Sequence, residues 1–135
     1  MNNTRFATAI HILTLLDKCD DDWLTSDFIA RSLSVNPVVV RKEISVLKEA
    51  KLVESRKGKE GGVRLSKSSS DILLSELYVA VQNSDVLGKI NKNPNPNCPI
   101  GKLINTKLVA LYSEVDQVVV QFLRDKTLSD FSNQF

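Results

Sequence analysis

A chain of 135 residues has room for one domain of ordinary size, or for a small domain with an oligomerisation element, and excludes two independent catalytic domains. Its 42% hydrophobic and 25% charged residues exclude a disordered or membrane-embedded composition, and two cysteines, Cys19 and Cys98, exclude a disulfide framework. The net charge of +2 is unevenly placed: Asp17 to Asp27 holds five acids against Lys18, a net of −4, whereas Asn36 to Lys67 holds nine bases against four acids, a net of +5. Concentrated positive charge of that kind suits a phosphate backbone, although a solvated charged face has the same composition.

The amino terminus runs into an amphipathic segment without an apolar stretch of signal-peptide or membrane-spanning length, so a cytoplasmic protein without a membrane partner is expected. Residues 4 to 17 place Phe6, Ile10 and Leu13 on one stripe at helical spacing. Trp23 and Leu24 then read as a hydrophobic plug, after which Thr25 or Ser26 caps a second helix, 26 to 33, that turns Phe28, Ile29 and Leu33 inward. A tight turn at 34–37 leads to a third helix, with Asn36 as cap and Pro37 at its first position, running to about Ala50. Val40, Ile44 and Leu47 form its apolar stripe, leaving Val38, Lys42, Ser45 and Glu49 opposite and Arg41 on the flank.

Two strand-like runs, Leu52 to Arg56 and Val63 to Ser66, flank the glycine-rich Lys57-Gly58-Lys59-Glu60-Gly61-Gly62 and read as a hairpin with a basic tip. A helix is expected from Leu73 to Gln82, followed by an Asn/Pro loop over 84–99. From Ile100 to Arg124 the spacing of Ile104, Leu108, Leu111, Val115, Val118 and Phe122 predicts a long helix with a coiled-coil-like seam. Val109, Tyr112, Val119 and Leu123 add a second stripe, so the helix is either sandwiched within the monomer or shared between its own domain and a partner. A homodimer is expected, because the remaining residues offer little else to cover that surface.

Three short helices and a hairpin are the order of a winged helix-turn-helix. The fold expected is therefore mainly α with a small β-hairpin: a winged helix-turn-helix domain over 1–83, a loop carrying Cys98 over 84–99, and a dimerisation helix with a C-terminal tail over 100–135. In such a module the third helix can enter the major groove and the hairpin tip can meet the adjacent backbone. Arg41 and Lys42 can donate to guanine edges or phosphates, Asn36 and Ser45 can donate or accept, and Val38 can touch a thymine methyl. At the tip, Lys57 and Lys59 supply charge, while Gly58, Gly61 and Gly62 make the turn and let backbone amides approach phosphates. Arg5, Thr25 and Ser26, near helix starts, are further candidate phosphate contacts. No glycine-rich phosphate loop, nucleophile elbow or second histidine supports an enzyme, and the single His11 is not expected to ligate a metal. The rival reading is a winged-helix dimer that holds a protein or effector and never touches DNA.

The third helix followed by Leu52-Val53-Glu54-Ser55-Arg56-Lys57-Gly58, then Gly61-Gly62-Val63-Arg64-Leu65, the Asn97-Cys98-Pro99 loop and the long last helix, resembles the Rrf-two family of bacterial winged-helix regulators. The resemblance covers nearly the whole chain and implies a homodimer on a pseudo-palindromic operator, usually acting as a repressor. Cluster-binding members carry three closely spaced cysteines before the long helix; this chain has Cys98 alone there, so no iron-sulfur cluster and no other cofactor is expected. Val39-Val40 stands where many members have a tyrosine-leucine pair, so the operator cannot be borrowed from relatives. Cys98, beside Pro99 at the start of the long helix, reads equally as a thiol sensor of oxidants or as a cap or packing residue, with a small effector between loop and winged domain as a third signal.

Overall fold

The computed structural model describes residues 4–19, 22–82 and 86–135. Helix α1 spans Arg5–Lys18, α2 Ser26–Leu33, α3 Pro37–Glu49, α4 Leu74–Val81, α5 Pro99–Arg124 and α6 Leu128–Ser132; strands β1, Val53–Arg56, and β2, Gly62–Leu65, form the hairpin, and one 3-10 turn covers Ser69–Asp71. The expected architecture is present, with boundaries shifted by one or two residues. The acidic run is described only in part, since Asp20 and Asp21 lie outside the described residues, as do positions 83–85 at the start of the expected loop.

The core forms where apolar side chains recur at three and four residues. Ala9, Ile12, Leu13 and Leu16 of α1 meet Ile29 of α2, Val40 and Leu47 of α3 and Leu77 of α4, and all are nearly inaccessible to water. Burying a leucine or isoleucine to that degree is worth about 1.5–3 kcal/mol. The hairpin pairs Val53 with Leu65, Glu54 with Arg64, Ser55 with Val63 and Arg56 with Gly62. Alternation then puts Val53, Val63 and Leu65 on the core side and Glu54, Arg56 and Arg64 on the other. Leu24 extends the sheet by exchanging backbone hydrogen bonds with Val63, at 3.0 and 2.8 Å.

Three expectations need correction. Phe28 does not turn inward: it is 42% exposed, because the eight-residue α2 buries only Ile29 and Ala30 fully. The expected C-terminal tail contains a further helix packed on the core: Leu128 is fully buried, its amide donates to the Ile72 carbonyl at 2.8 Å, and α6 opens with a capping box between Thr127 and Asp130. The winged core therefore recruits residues beyond position 83. The expected seam on α5 is also divided: Ile104, Leu108 and Val115 are half-buried, on the flank leading round to Leu123, which packs on the core, whereas Leu111, Val118 and Phe122 are exposed. A helix of 3.6 residues per turn drifts across a 3.5-residue repeat, and α5 must also lie against α4.

Residues 86–92 run beside α5, tied by Asn105 Nδ2 donating to the Asn91 carbonyl at 2.7 Å and by the Val86 amide donating to Asp116 Oδ1 at 3.3 Å. An open groove of about 1070 Å³ lies between this segment and α5. At the head of α5, Cys98 is exposed and its Sγ accepts from the Gly101 amide at 3.4 Å.

Candidate nucleic-acid interface

Helix α3 is delivered to the surface by its own start signals. Asn36 Oδ1 accepts from the Val38 amide at 2.9 Å, and Pro37 occupies the first turn. With Val40, Ile44 and Leu47 buried, the opposite face is fixed: Val38, Arg41, Lys42 and Ser45 are all exposed, Val38 to 60%. Asn36 therefore serves the helix end first, and Ser45 Oγ donates to the Arg41 carbonyl at 3.2 Å, leaving its lone pairs outward. Thr25 has the same double position at α2, its Oγ1 accepting from the Phe28 amide at 3.1 Å while the residue stays exposed; Ser26, the next residue, is half-buried.

Several bases on α3 and the wing stand outside ion pairs. Ion pairs among the described residues join Arg5 to Glu43, Arg64 to Glu54 and Lys67 to Glu76, so among those residues Arg41, Lys42, Lys57 and Lys59 have no carboxylate partner. Glu43 was counted against the basic stretch in the sequence, yet it faces inward at 4% exposure and takes its charge off the outer face. Its partner is Arg5, whose Nη2 donates to Oε1 at 2.9 Å. Arg5, a candidate phosphate contact in the sequence, thus has a role inside the fold: a buried carboxylate needs a counter-charge, and Arg5 supplies it.

The wing tip is shaped by glycine where the backbone demands it. Gly58 has φ +103° and Gly62 φ +150°, and a Cβ on Gly62 would lie 2.6 Å from the Leu24 carbonyl oxygen. A Cβ on Gly61 would strike the Arg56 carbonyl, so Gly61 and Gly62 are required for the fold whatever they touch. Lys57, Gly58 and Lys59 are exposed at the tip.

Sequence reasoning missed what holds the tip. The Arg56 guanidinium lies 4.4 Å and that of Arg64 4.3 Å from the Trp23 ring centroid, and Arg56 also donates from Nε and Nη2 to the Glu60 carbonyl at 2.9 and 2.7 Å. An aromatic residue just before a helix cap, with arginines at alternating hairpin positions, is the signal that was available. His11 Nε2 lies 3.0 Å from Ser32 Oγ and so links α1 to α2; among the described residues no three metal-ligating side chains gather. No described helix is long and apolar enough to cross a membrane.

Against known proteins, the model of the family described as Rrf2, iron-dependent transcriptional regulator, matches residues 2–134. YwnA of Bacillus subtilis, which carries the name of an HTH-type transcriptional regulator, is 43% identical over 133 residues, 98% of each chain. A crystal structure of a protein described as DNA-binding shares 39% identity and a TM-score of 0.75 over 94% of this chain and 97% of that one. CymR, the global cysteine regulator of B. subtilis, shares the fold at 18% identity and a TM-score of 0.69, covering 100% of this chain and 98% of its own.

Proposed function

This chain belongs to the Rrf2 family of transcriptional regulators, and we propose that it acts without catalysis, as a homodimer that binds a pseudo-palindromic operator in double-stranded DNA and represses the adjacent genes. One observation carries the reading: Arg41 and Lys42 on the outer face of α3, and Lys57 and Lys59 on the wing, are each exposed and lack carboxylate partners among the described residues. Positive charge left unpaired on one surface releases counterions from a duplex on contact. In this reading α3 enters the major groove, Val38 and the Arg41 and Lys42 side chains meet base edges or phosphates, and Thr25, Ser26 and the Gly58-to-Gly62 tip meet the backbone.

The dimer forms through the outward strip of α5, where Ile100, Leu103, Leu111, Val118 and Phe122 are exposed without a described neighbour element to cover them. Lys107 and Glu114 lie on the same strip, exposed, seven residues apart and flanked on their own helix by Leu103, Ala110, Leu111 and Val118. An antiparallel pairing centred between Ala110 and Leu111 sets Lys107 against Glu114 twice, whereas a parallel pairing opposes like charges.

The thiols do not suit a cluster. Cys98 caps α5 and Cys19 closes α1, which leaves a single thiolate in the loop where several are needed. Regulation in this reading passes through the exposed Cys98 thiol or through a small effector in the groove beside α5. Cys98→Ser abolishes oxidant-dependent DNA release in the first case and leaves it unchanged in the second.

The test is selection of genomic fragments by the purified protein, followed by titration of a recovered duplex at several salt concentrations. Alanine at Arg41, Lys42, Lys57 or Lys59 weakens binding, and each phosphate contact removed lowers the salt slope by about one. Equal affinity after removal of all four assigns the chain to the rival class, a winged-helix module for a protein partner.

A further inference from the structure

Trp23 is the chain's single tryptophan, and it is half-buried without belonging to the hydrophobic core. It lies on the outer face of the hairpin, where register places Glu54, Arg56 and Arg64 on alternating positions. Its backbone is fixed by its neighbour Leu24, which bridges to Val63, and a Cβ at Gly62 would come within 2.9 Å of the Trp23 carbonyl carbon. The indole is thus locked against the hairpin from behind while its ring meets two guanidinium groups.

Those two arginines are not equivalent. Arg64 is neutralised by Glu54, Nε to Oε1 at 2.6 Å. Arg56 has no carboxylate partner among the described residues: its Nε and Nη2 donate to the Glu60 backbone carbonyl, and Nη1 makes no hydrogen bond among those residues. Arg56 consequently presents a full charge and a free donor edge, held in place by ring stacking on one side and by the tip's own backbone on the other. A guanidinium so restrained forfeits little rotamer freedom when it meets an anion.

We propose that Arg56 is a further phosphate contact of the wing and that Trp23 is its positioning residue, fixing both the guanidinium and, through Glu60, the Lys57-to-Gly61 turn. Trp23 itself need not touch the duplex. The inference rests on the DNA-binding reading above and adds to it a residue that acts through another.

The experiment measures affinity for a mixed-sequence duplex in low salt, with full-length Trp23→Ala, Trp23→Phe, Arg56→Ala, Arg56→Lys and the Trp23→Ala/Arg56→Ala double variant. Exposed cation–π stacks shift equilibria about two- to fivefold, so Trp23→Ala weakens binding by about that factor while Trp23→Phe recovers most of it. Arg56→Ala lowers the salt slope by about one. In the Arg56→Ala background Trp23→Ala costs little more, and Arg56→Lys, which keeps the charge without the planar stack, behaves like Trp23→Ala. Indole emission of the free protein changes in Arg56→Ala, since no other tryptophan contributes. Equal losses from Trp23→Ala with and without Arg56, or undiminished affinity in Trp23→Ala, overturn the proposal. If the wild-type protein retains no duplex, the DNA-binding reading fails instead, and the two failures are thereby distinguished.

Discussion

Glu43 sits in the middle of α3, beside residues that face solvent, and points the other way. Its side chain is 6% exposed and is held by the guanidinium of Arg5, whose side chain is 29% exposed. Removing one partner of such a pair leaves a charge without compensation. Because Arg5 retains some solvent, Arg5→Ala is expected to lower stability by about 2 kcal/mol, below the usual 3–5 for fully buried pairs. Arg5→Met/Glu43→Met, which replaces both by apolar groups, should cost less than Arg5→Ala alone. Urea unfolding of the three proteins checks this, and a double variant no better than the single would refute it. At this scale the sequence was partly legible. Asn36-Pro37 announced its cap because both signals act within three residues, and Val38's outward position followed from the buried stripe. The Arg5–Glu43 pair spans 38 positions, and Trp23 finds its arginines across a sheet; periodicity is blind to both.

Among elements, the hairpin is the most tightly determined, and glycine determines it in two ways. Gly58 needs a positive φ but has open space for a side chain, whereas Gly62 combines a positive φ with contact to the Leu24 and Trp23 backbone. Gly58→Ala is therefore expected to cost about 1 kcal/mol of backbone strain, and Gly62→Ala more, about 3 kcal/mol, because the bridge to Leu24 must also shift. Thermal or urea unfolding ranks them, and the reverse order would mean that strain, not close approach, governs the wing. Both effects were half visible: the Gly-rich run predicted a turn, but only the Leu24–Val63 bridge explains why position 62 in particular admits no side chain. Helix α6 escaped notice because five residues are too few to show a period, and its Leu128 becomes core only once α5 has returned the chain to Ile72.

In the whole molecule, α5 has two adjacent faces with different surroundings. The flank bearing Leu123 packs on the winged core, and the strip from Ile100 to Phe122 remains open, with Val118 67% and Phe122 62% exposed. The sequence supplied both stripes but merged them, since a helix serving two neighbours shows one broad apolar arc. The division changes which substitutions are informative. Leu111→Asp and Val118→Asp alter exposed positions, so they should abolish dimerisation while leaving a folded monomer; Val115 is half-buried, and a charge there disturbs the monomer too. The orientation of the pair is tested by charge reversal. In the antiparallel pairing, Lys107→Glu or Glu114→Lys creates two like-charged contacts related by the dyad, each worth up to about 1 kcal/mol, so the dimer dissociation constant should rise on the order of tenfold. The double reversal restores attraction and should return it to the wild-type value. Sedimentation equilibrium of the four proteins reads the cycle. Singles that associate as the wild type does, or a double variant that fails to recover, would reject the antiparallel pairing while leaving dimerisation standing; a wild-type chain that stays monomeric at every concentration would reject the dimer itself. In the proposed dimer the pairing would set where each α5 leaves its partner, and so the separation of the two α3 helices and the half-site spacing that operator selection should return.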